Sequence, residues 1–246
     1  MSNQNILNFI NELKKQYSVE EIFSILINCF LISKIRTEEF NGDDILKNVY
    51  PYIFKEIEYD YDSEEAIALI NYFSSTNEND IVGYLYENTM SSDDKKNYGS
   101  FYTRSNDIID YMINNVKVDE DTQILEPSCG SGLFLIEIIK KIKCNSKELN
   151  KALLLKKIFK NIEANDIDHM ACKITEANIL CSLIEDIKDV YIQDNEFKLP
   201  KLKIYNYDFC YKNINNQYDV IIGNPPFVTL YGRRSRNMTE EKRAYF

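Results

Sequence analysis

The apolar positions near the start of the chain recur at intervals of three and four residues. In "NILNFINEL" they fall on one side of a helical projection, and this spacing predicts an amphipathic helix. The apolar run "SVEEIFSILINCFLISKI" begins with a capping box formed by Ser18 and Glu21, and Asp62 and Glu65 repeat the device further along. We therefore predict that residues 1–95 form a helical N-terminal domain.

The pattern changes from residue 120, where short apolar runs alternate with longer helical ones. The runs "TQILEP", "NIEANDID", "LKIYNYD" and "YDVIIGNPP" each predict a strand. Between them, "GLFLIEIIKKI", "KCNSKELNKALLLKKIFKN" and the single long stretch "HMACKITEANILCSLIEDI" predict helices. Such alternation is typical of right-handed crossovers and of a parallel sheet covered on both faces. We predict a doubly wound α/β domain over residues 96–246, which follows a polar break at "SSDDKKNYGS".

Composition narrows the class of protein. A net charge of −10 argues against a general nucleic-acid coat, although it leaves room for a local basic groove. The six cysteines form no C-x-x-C pair, which favours reduced thiols in a cytosolic protein. No apolar run approaches the ~18 residues that cross a bilayer, and the polar start is no signal peptide. We expect a soluble, cytoplasmic protein with no membrane partner and no metal site.

The first strand is followed by a loop rich in small residues. Doubly wound sheets bind ligands at the carboxyl ends of their strands, and the loop of residues 126–132 lies there. Gly130 and Gly132 allow a tight turn and close approach to a ligand, while the next helix directs its N-terminal amides to the same place. The spacing departs from G-x-G-x-x-G and is not a P-loop. A turn that uses glycine for geometry alone is the alternative.

Acidic residues end the second and third strands. Asp166 is the better candidate to accept hydrogen bonds from ribose hydroxyls, whereas Asp168 can be the N-cap of the next helix. After the third strand, Asp208 could accept from an adenine amine with Phe209 against the ring, or the pair could form an ordinary edge turn. With no pyrophosphate clamp, these ends fit S-adenosyl-L-methionine, whose cationic tail would suit Glu126.

The fourth strand ends abruptly at Asn224-Pro225-Pro226-Phe227. In this order, "ILEPSCGSG", "NDID", "NYDF" and "GNPPF" resemble the amino-methyltransferases that modify adenine in DNA. Upstream, "GSFYT" resembles the cofactor-contacting segment of their gamma subgroup. "IVGYLYENTM" resembles the preceding helix of type I modification subunits and fused type IIG enzymes. The resemblance covers roughly residues 80–230.

The resemblance implies a Rossmann-like class I S-adenosylmethionine-dependent methyltransferase fold, acting on the N6 amine of a flipped adenine in a restriction–modification or related defence system. Asn224, through its side-chain oxygen, and Pro225, through its carbonyl, would accept the amine's N–H bonds. Pro226 would stiffen the loop, and Phe227 would stack on the flipped base. The implied cofactor-binding residues are Tyr102, Thr103, Glu126, Pro127, Ser128, Gly130, Gly132, Asp166, Ile167, Asp208, Phe209 and Asn224.

Two features depart from the family pattern. The family's segment usually reads Tyr-Thr-Pro, whereas here Arg104 follows Tyr102 and Thr103, so a stiff residue is replaced by a cation. The sequence also ends at Phe246, nineteen residues after Phe227, where the resemblance implies three more strands, a second aromatic and a target-recognition domain. We therefore expect a fragment that would act with that missing region or with a specificity subunit.

Three arginines lie shortly after the Asn-Pro-Pro-Phe segment. Arg233, Arg234 and Arg236 are predicted to contact DNA phosphates beside the flipped base, which would make the affinity fall with salt. A solvated cationic loop is the alternative. Under the first interpretation, double-stranded DNA is the partner of this segment.

Two other functions are compatible with these motifs. Protein-glutamine methyltransferases and some RNA methyltransferases also carry Asn-Pro-Pro-aromatic loops, although "GSFYT" and the helical region favour DNA. The chain could also be a non-catalytic module that binds the cofactor or assembles a larger complex. Methyl transfer to adenine in duplex DNA distinguishes the first function from both alternatives.

Overall fold

The computed structural model describes residues 3–35, 42–53, 59–76, 80–90, 106–209 and 216–225. In the first part of the chain the described elements are all helical, as the apolar spacing predicts. These helices are α1 (Asn3–Leu13), α2 (Val19–Ile35), α3 (Gly42–Val49), α4 (Glu64–Ser75) and α5 (Ile81–Thr89). Helix α2 is buried along nearly its whole length from Ile22 onward, so it forms the centre of this part.

The ends of two helices test the predicted capping residues. At the start of α2, the Ser18 amide donates to Glu21 Oε2 over 2.8 Å and the Glu21 amide donates back to Ser18 Oγ over 3.3 Å, so the predicted capping box is present. The prediction for α4 is wrong by one residue. Its N-cap is Ser63 rather than Asp62, because the Ala66 amide donates a hydrogen bond to Ser63 Oγ over 3.2 Å.

The second part of the chain alternates helices with parallel strands. The elements are α6 (Asn106–Asn114), β1 (Ile124–Glu126), α7 (Leu133–Asn145), α8 (Lys151–Asn161), β2 (Ile162–Asp166), α9 (His169–Ser182), α10 (Ile184–Gln193), β3 (Lys203–Asn206) and β4 (Val220–Ile221). The described strands pair in the order β3-β2-β1-β4, all parallel. The strand order therefore reverses between β1 and β4, which is the switch point of a doubly wound sheet.

The single long helix predicted after β2 is two helices. Helix α9 ends at Ser182, and the backbone leaves the helical conformation at Leu183 before α10 begins. Leu183 is fully buried, and its amide donates to the Leu180 carbonyl over 3.1 Å in a tighter turn. The break allows both helices to bury apolar side chains, and no glycine or proline in the sequence signals it.

The helical part is joined to the sheet by buried contacts. Tyr50, at the end of α3, is fully buried; its hydroxyl donates to the Glu176 carboxylate on α9 and accepts from the Leu202 amide over 3.0 Å. Burial, with the Glu176 carboxylate second, raises the pKa of Tyr50. The predicted domain boundary at residue 95 lies outside the described residues, so the division into two domains stays a prediction. Within the described part, no helix is long and apolar enough to cross a membrane.

Candidate active site

The carboxyl ends of β1, β2 and β4 lie side by side at one edge of the sheet. Glu126, the last residue of β1, pairs with Ala164 of β2, and Leu125 pairs with Ile221 of β4. The Ile222 amide continues this pairing by donating to the Leu125 carbonyl over 3.0 Å. The sequence motifs that follow these strands are therefore brought together at the switch point, where such sheets bind ligands.

The loop of residues 127–132, the glycine loop, is held against the end of β2. Gly130 and Gly132 have φ angles of 54° and 85°, a left-handed backbone conformation that favours glycine. The Gly130 amide donates to Asp166 Oδ2 over 2.8 Å, and the Cys129 amide donates to the Asn165 carbonyl over 2.9 Å. The loop thus presents backbone at the strand ends, just before α7 begins.

A side chain at Gly132 is expected to destabilise the folded protein. A Cβ at this position would lie 2.9 Å from Thr175 Cγ2 and 3.3 Å from its Cα, on a left-handed backbone. We expect Gly132→Ala to lower the free energy of unfolding by about 2–4 kcal/mol, through left-handed strain and overpacking together. Urea unfolding measures the change.

Gly223→Ala is the control for this substitution. Its Cβ would lie 3.4 Å from Glu126 Cγ, which is ordinary contact, and Gly223 does not adopt a left-handed conformation. We expect a loss of under about 1 kcal/mol for this variant. Equal losses for Gly132→Ala and Gly223→Ala would contradict the strain argument.

Glu126 is a buried carboxyl group without a full set of partners. Its side chain is 1% exposed, and Oε2 has no hydrogen-bond partner within the described part of the chain. Burial, with the nearby Asp166 carboxylate second, raises the pKa of Glu126 well above its usual range. Ser128 Oγ is also buried and unpaired among the described residues. Buried polar atoms of this kind normally have partners, so their position favours a ligand that carries a cation or donors.

Both carboxylate oxygens of Asp166 accept hydrogen bonds from the backbone. Its Oδ2 accepts from the Gly130 amide over 2.8 Å and its Oδ1 from the Asp168 amide over 2.9 Å, while burial raises its pKa. A carboxylate has roughly four acceptor positions, so both oxygens retain capacity for further donors. The next side chain, Ile167, is 45% exposed and offers an apolar surface at the same edge.

Asp168 caps a helix, the structural role considered for it from the sequence. It is the N-cap of α9, and its Oδ1 accepts from the Met170 amide over 2.9 Å. Its other oxygen, Oδ2, accepts from the Tyr86 hydroxyl of α5 over 2.8 Å. Both carboxylate oxygens are therefore engaged inside the protein, and Asp168 is 7% exposed.

The end of β3 is tied to the same edge through two asparagines. Asn165 Nδ2 donates to the carbonyls of Pro127 and Tyr207 over 3.2 and 3.1 Å, which links the ends of β1 and β3. Asn206 Nδ2 donates to the Ile167 carbonyl over 2.8 Å. Apart from their place at strand ends, no feature of the sequence distinguishes these two asparagines.

Asp208 and Phe209 follow β3 at this edge. The Phe209 ring stacks on Tyr207, with ring centroids 6.2 Å apart and planes inclined by 11°. Both Asp208 and Phe209 are half-buried. An aromatic face at this edge is the kind of surface on which a heteroaromatic ring can stack.

Asn224 and Pro225 follow β4 after Ile222 and Gly223, and Gly223 lies close to Glu126. A Cβ built on Gly223 would lie 3.4 Å from Glu126 Cγ and 3.7 Å from Pro127 Cδ, so the backbone of residue 223 packs beside the end of β1. Asn224 is half-buried and Pro225 is exposed.

Several predicted site residues fall where the structure gives no description. They are Tyr102, Thr103, Pro226, Phe227, Arg233, Arg234 and Arg236. Among the described residues no group of three or more His, Cys, Asp or Glu side chains is arranged to hold a metal ion.

These features define an α/β fold of the methyltransferase class: a parallel sheet with a glycine loop after β1 and acidic residues after β2 and β3. A sequence model of the N-6 DNA Methylase family matches residues 77–246. The chain belongs to the N-6 DNA methylase family. The resemblance to adenine-modifying amino-methyltransferases is therefore confirmed at the level of the family.

Two curated relatives are methylase subunits of type I restriction enzymes. The chain is 26% identical over 233 residues to the MjaIX methylase subunit of Methanocaldococcus jannaschii, a match that covers 91% of this chain and 37% of the relative. It is 28% identical over 157 residues to the EcoEI methylase subunit of Escherichia coli, covering 63% of this chain and 29% of that subunit. The matched segment thus spans about a third of each relative's length.

Two solved structures share the fold. A modification subunit ascribed to a type I restriction enzyme from Vibrio vulnificus YJ016 superposes with a TM-score of 0.53 at 13% identity, covering 92% of this chain and 60% of that one. The type IIL restriction-modification enzyme MmeI, solved in complex with DNA, superposes with a TM-score of 0.50 at 15% identity. The match covers 96% of this chain and 38% of that enzyme. At these identities the likeness shows the fold alone.

Proposed function

We propose that the chain carries the cofactor site and the amine-binding loop of an S-adenosylmethionine-dependent DNA adenine-N6 methyltransferase of restriction–modification type. The observation that carries the proposal is the contact between the ends of β1 and β4. There the buried carboxyl of Glu126, unpaired at Oε2 among the described residues, adjoins Gly223, directly before Asn224. A group that attracts a cation lies next to the loop expected to hold an amine.

The described residues fit a nucleoside with a cationic tail. Glu126, at the end of β1, would bind the ammonium group of the amino-acid tail, with the backbone of the glycine loop beside it. Asp166 would accept from the ribose hydroxyls, since a carboxylate has roughly four acceptor positions and its backbone donors do not use them all. Ile167 and Phe209 would contact the faces of the adenine, and Asp208 its amine.

Asn224 and Pro225 would make the adenine amine a better nucleophile. The amine's lone pair is delocalised into the ring, so acceptors directed at both N–H bonds favour a pyramidal nitrogen. S-adenosylmethionine supplies an electrophilic methyl group. Glu126, Asp166 and Asp208 would hold this cofactor; its methyl group would pass from sulfur, which would keep the electron pair, to the nitrogen, and the alkylated amine would release its proton. The rigid Pro-Pro backbone would fix the carbonyl of Pro225 in direction before the substrate arrives.

DNA is the proposed substrate, and a target-recognition region or specificity subunit is the proposed partner. The methylase subunits of type I restriction enzymes among the relatives support both assignments. A flipped adenine would stack on Phe227, and Arg233, Arg234 and Arg236 would contact neighbouring phosphates.

The test is methyl transfer from labelled S-adenosylmethionine by the complete gene product. Duplex DNA, single-stranded RNA and a release-factor protein serve as parallel substrates, and each product is hydrolysed and separated. We expect label in N6-methyladenine from duplex DNA and none in RNA or protein. Label in glutamine or RNA, or binding of the cofactor without transfer to any substrate, would contradict the proposal.

A further inference from the structure

A buried polar cluster connects the helical part of the chain to the glycine loop. Asp80, directly before α5, is 6% exposed; its Oδ2 accepts from Ser131 Oγ over 2.7 Å, and its Oδ1 accepts from Asn178 Nδ2 over 2.8 Å. Asn178, on α9, also donates to the Ser131 carbonyl over 2.9 Å. Ser131 and Asn178 are 3% and 1% exposed, so these hydrogen bonds are shielded from water.

The position of Asp80 would lead one to expect a helix cap, but its side chain does not cap α5. Asp is among the preferred N-cap residues because its carboxylate accepts from the first free amides of the helix. Here the Asp80 side chain makes no such hydrogen bond. Both oxygens are instead directed to Ser131 and Asn178, so the carboxylate serves the glycine loop and α9 rather than its own helix.

Helix α5 also touches the glycine loop through Gly83. A Cβ at this position would lie 2.1 Å from Asp80 Oδ1 and 2.6 Å from Ser131 Cβ. The second distance involves an atom adjacent to the loop backbone, which cannot move away as a flexible side chain would. The absence of a side chain at Gly83 therefore allows the helix and the loop to be in direct contact.

A second connection runs from α5 to the predicted ribose site. The Tyr86 hydroxyl donates to Asp168 Oδ2 over 2.8 Å, and the Asp168 amide donates to Asp166 Oδ1 over 2.9 Å. Tyr86 is 7% exposed and packs edge-on against Phe23 of α2, with ring centroids 4.9 Å apart. The tyrosine therefore has a fixed position from which to hold the segment that carries Asp166.

We propose that Asp80 and Tyr86 are positioning residues of the cofactor site, through which helix α5 sets the affinity for the S-adenosyl cofactor. Asp80 fixes the glycine loop by way of Ser131, and Tyr86 fixes the end of β2 by way of Asp168. Binding sites lose affinity when their groups move by about half an ångström, so two supports from outside the sheet matter for binding. This inference rests on the proposed function, which assigns the cofactor to this edge.

The test measures binding of S-adenosylhomocysteine to the complete gene product by calorimetry, at a temperature where every variant is folded. Asp80→Asn keeps the shape of the side chain but replaces one acceptor oxygen by an NH2 group, which then faces a donor, either Ser131 Oγ or Asn178 Nδ2. We expect the affinity for S-adenosylhomocysteine to fall about tenfold or more. Tyr86→Phe should lower affinity severalfold. If Asp80 acts through Ser131, adding Ser131→Ala to Asp80→Asn should cause little further loss, a coupling that general destabilisation does not produce.

Tyr72→Phe is the matched control for Tyr86→Phe. Tyr72 lies on α4, which packs against α2, and it is likewise 7% exposed. Its variant loses the same hydroxyl group from the same helical part, and we expect unchanged affinity even if the melting temperature falls.

The outcomes separate the two proposals. Wild-type affinity in both Asp80→Asn and Tyr86→Phe, or an equal loss in Tyr72→Phe, would overturn this inference alone. Failure of the wild-type protein to bind S-adenosylhomocysteine would overturn the proposed function, and this inference with it.

Discussion

Replacing Asn224 by alanine is expected to reduce methyl transfer to adenine by about 100-fold or more. Removal of one preorganised polar group at a reacting atom typically lowers kcat by 10²–10³. Asn224 follows the short strand β4, where the approach of Gly223 to Glu126 fixes the start of the loop. Because the side chain would act on the amine more than on the cofactor, affinity for S-adenosylhomocysteine should fall by no more than about tenfold.

Two further substitutions make this expectation specific. Asn224→Asp keeps an acceptor oxygen, so it should retain more activity than the alanine variant. Asn216→Ala removes an exposed asparagine before the other end of β4, whose amide donates to the Tyr218 hydroxyl over 3.4 Å, and it should leave turnover unchanged. Single-turnover assays with labelled cofactor measure all three. Normal turnover in Asn224→Ala would remove the amine-binding role from this loop.

Replacing Glu126 by glutamine is expected to change stability and cofactor affinity in opposite directions. Near neutral pH the free energy of unfolding should rise by about 1 kcal/mol, because a buried carboxylate with an unpaired oxygen is lost. Affinity for S-adenosylmethionine should fall about tenfold or more, because a charge-assisted hydrogen bond to the ammonium group is lost. Urea unfolding and calorimetry measure the two effects separately.

The pH dependence follows from the direction of the pKa shift. Burial and Asp166 raise the pKa of Glu126 above its ordinary value of 4.5, so in the window above 4.5 the folded chain binds a proton that the unfolded chain has released. The stability of the free protein therefore falls as pH rises through that window. A cation favours the ionised form, so cofactor affinity should rise with pH over the same window. Both slopes should diminish in Glu126→Gln.

Glu163→Gln is the matched control for Glu126→Gln. Glu163 is a buried carboxylate on β2, 8% exposed, three positions before Asp166 and away from the carboxyl ends of the strands. We expect no loss of cofactor affinity in this variant. Equal loss in both variants would show that any buried carboxylate of the sheet supports binding, and would remove the specific role from Glu126.

The order and type of the elements could be predicted because they depend on local spacing. Alternation of short apolar runs with helical ones predicts the parallel sheet, and the strand ends then locate Glu126, Asp166 and Asp208 without any knowledge of contacts. The break at Leu183 escaped prediction, because it arises from how α9 and α10 bury their side chains against other elements. No glycine, proline or cap residue marks it in the sequence.

The contacts that hold the site could not be predicted, because they join distant parts of the chain. Asp80 is separated from Ser131 by 51 positions and from Asn178 by 98, and Tyr86 from Asp168 by 82. An aspartate directly before a helix is usually its N-cap, so the local sequence would assign Asp80 that role and no other. Only the three-dimensional arrangement shows that its carboxylate points elsewhere.

The two neighbouring acids, Glu126 and Asp166, also bear on how the site selects among molecules that share an adenosine group. ATP and dinucleotides place several negative charges next to the sugar, and many sheets of this kind accept those charges at a helix N-terminus. Here burial and the mutual repulsion of the two carboxyl groups raise the pKa of Glu126. A phosphate next to Glu126 would disfavour the ionised form of that carboxyl group further, whereas a sulfonium or ammonium group would stabilise the ionised form. Under the proposed function, the protein would discriminate against the abundant nucleotides of a cell by charge rather than by shape.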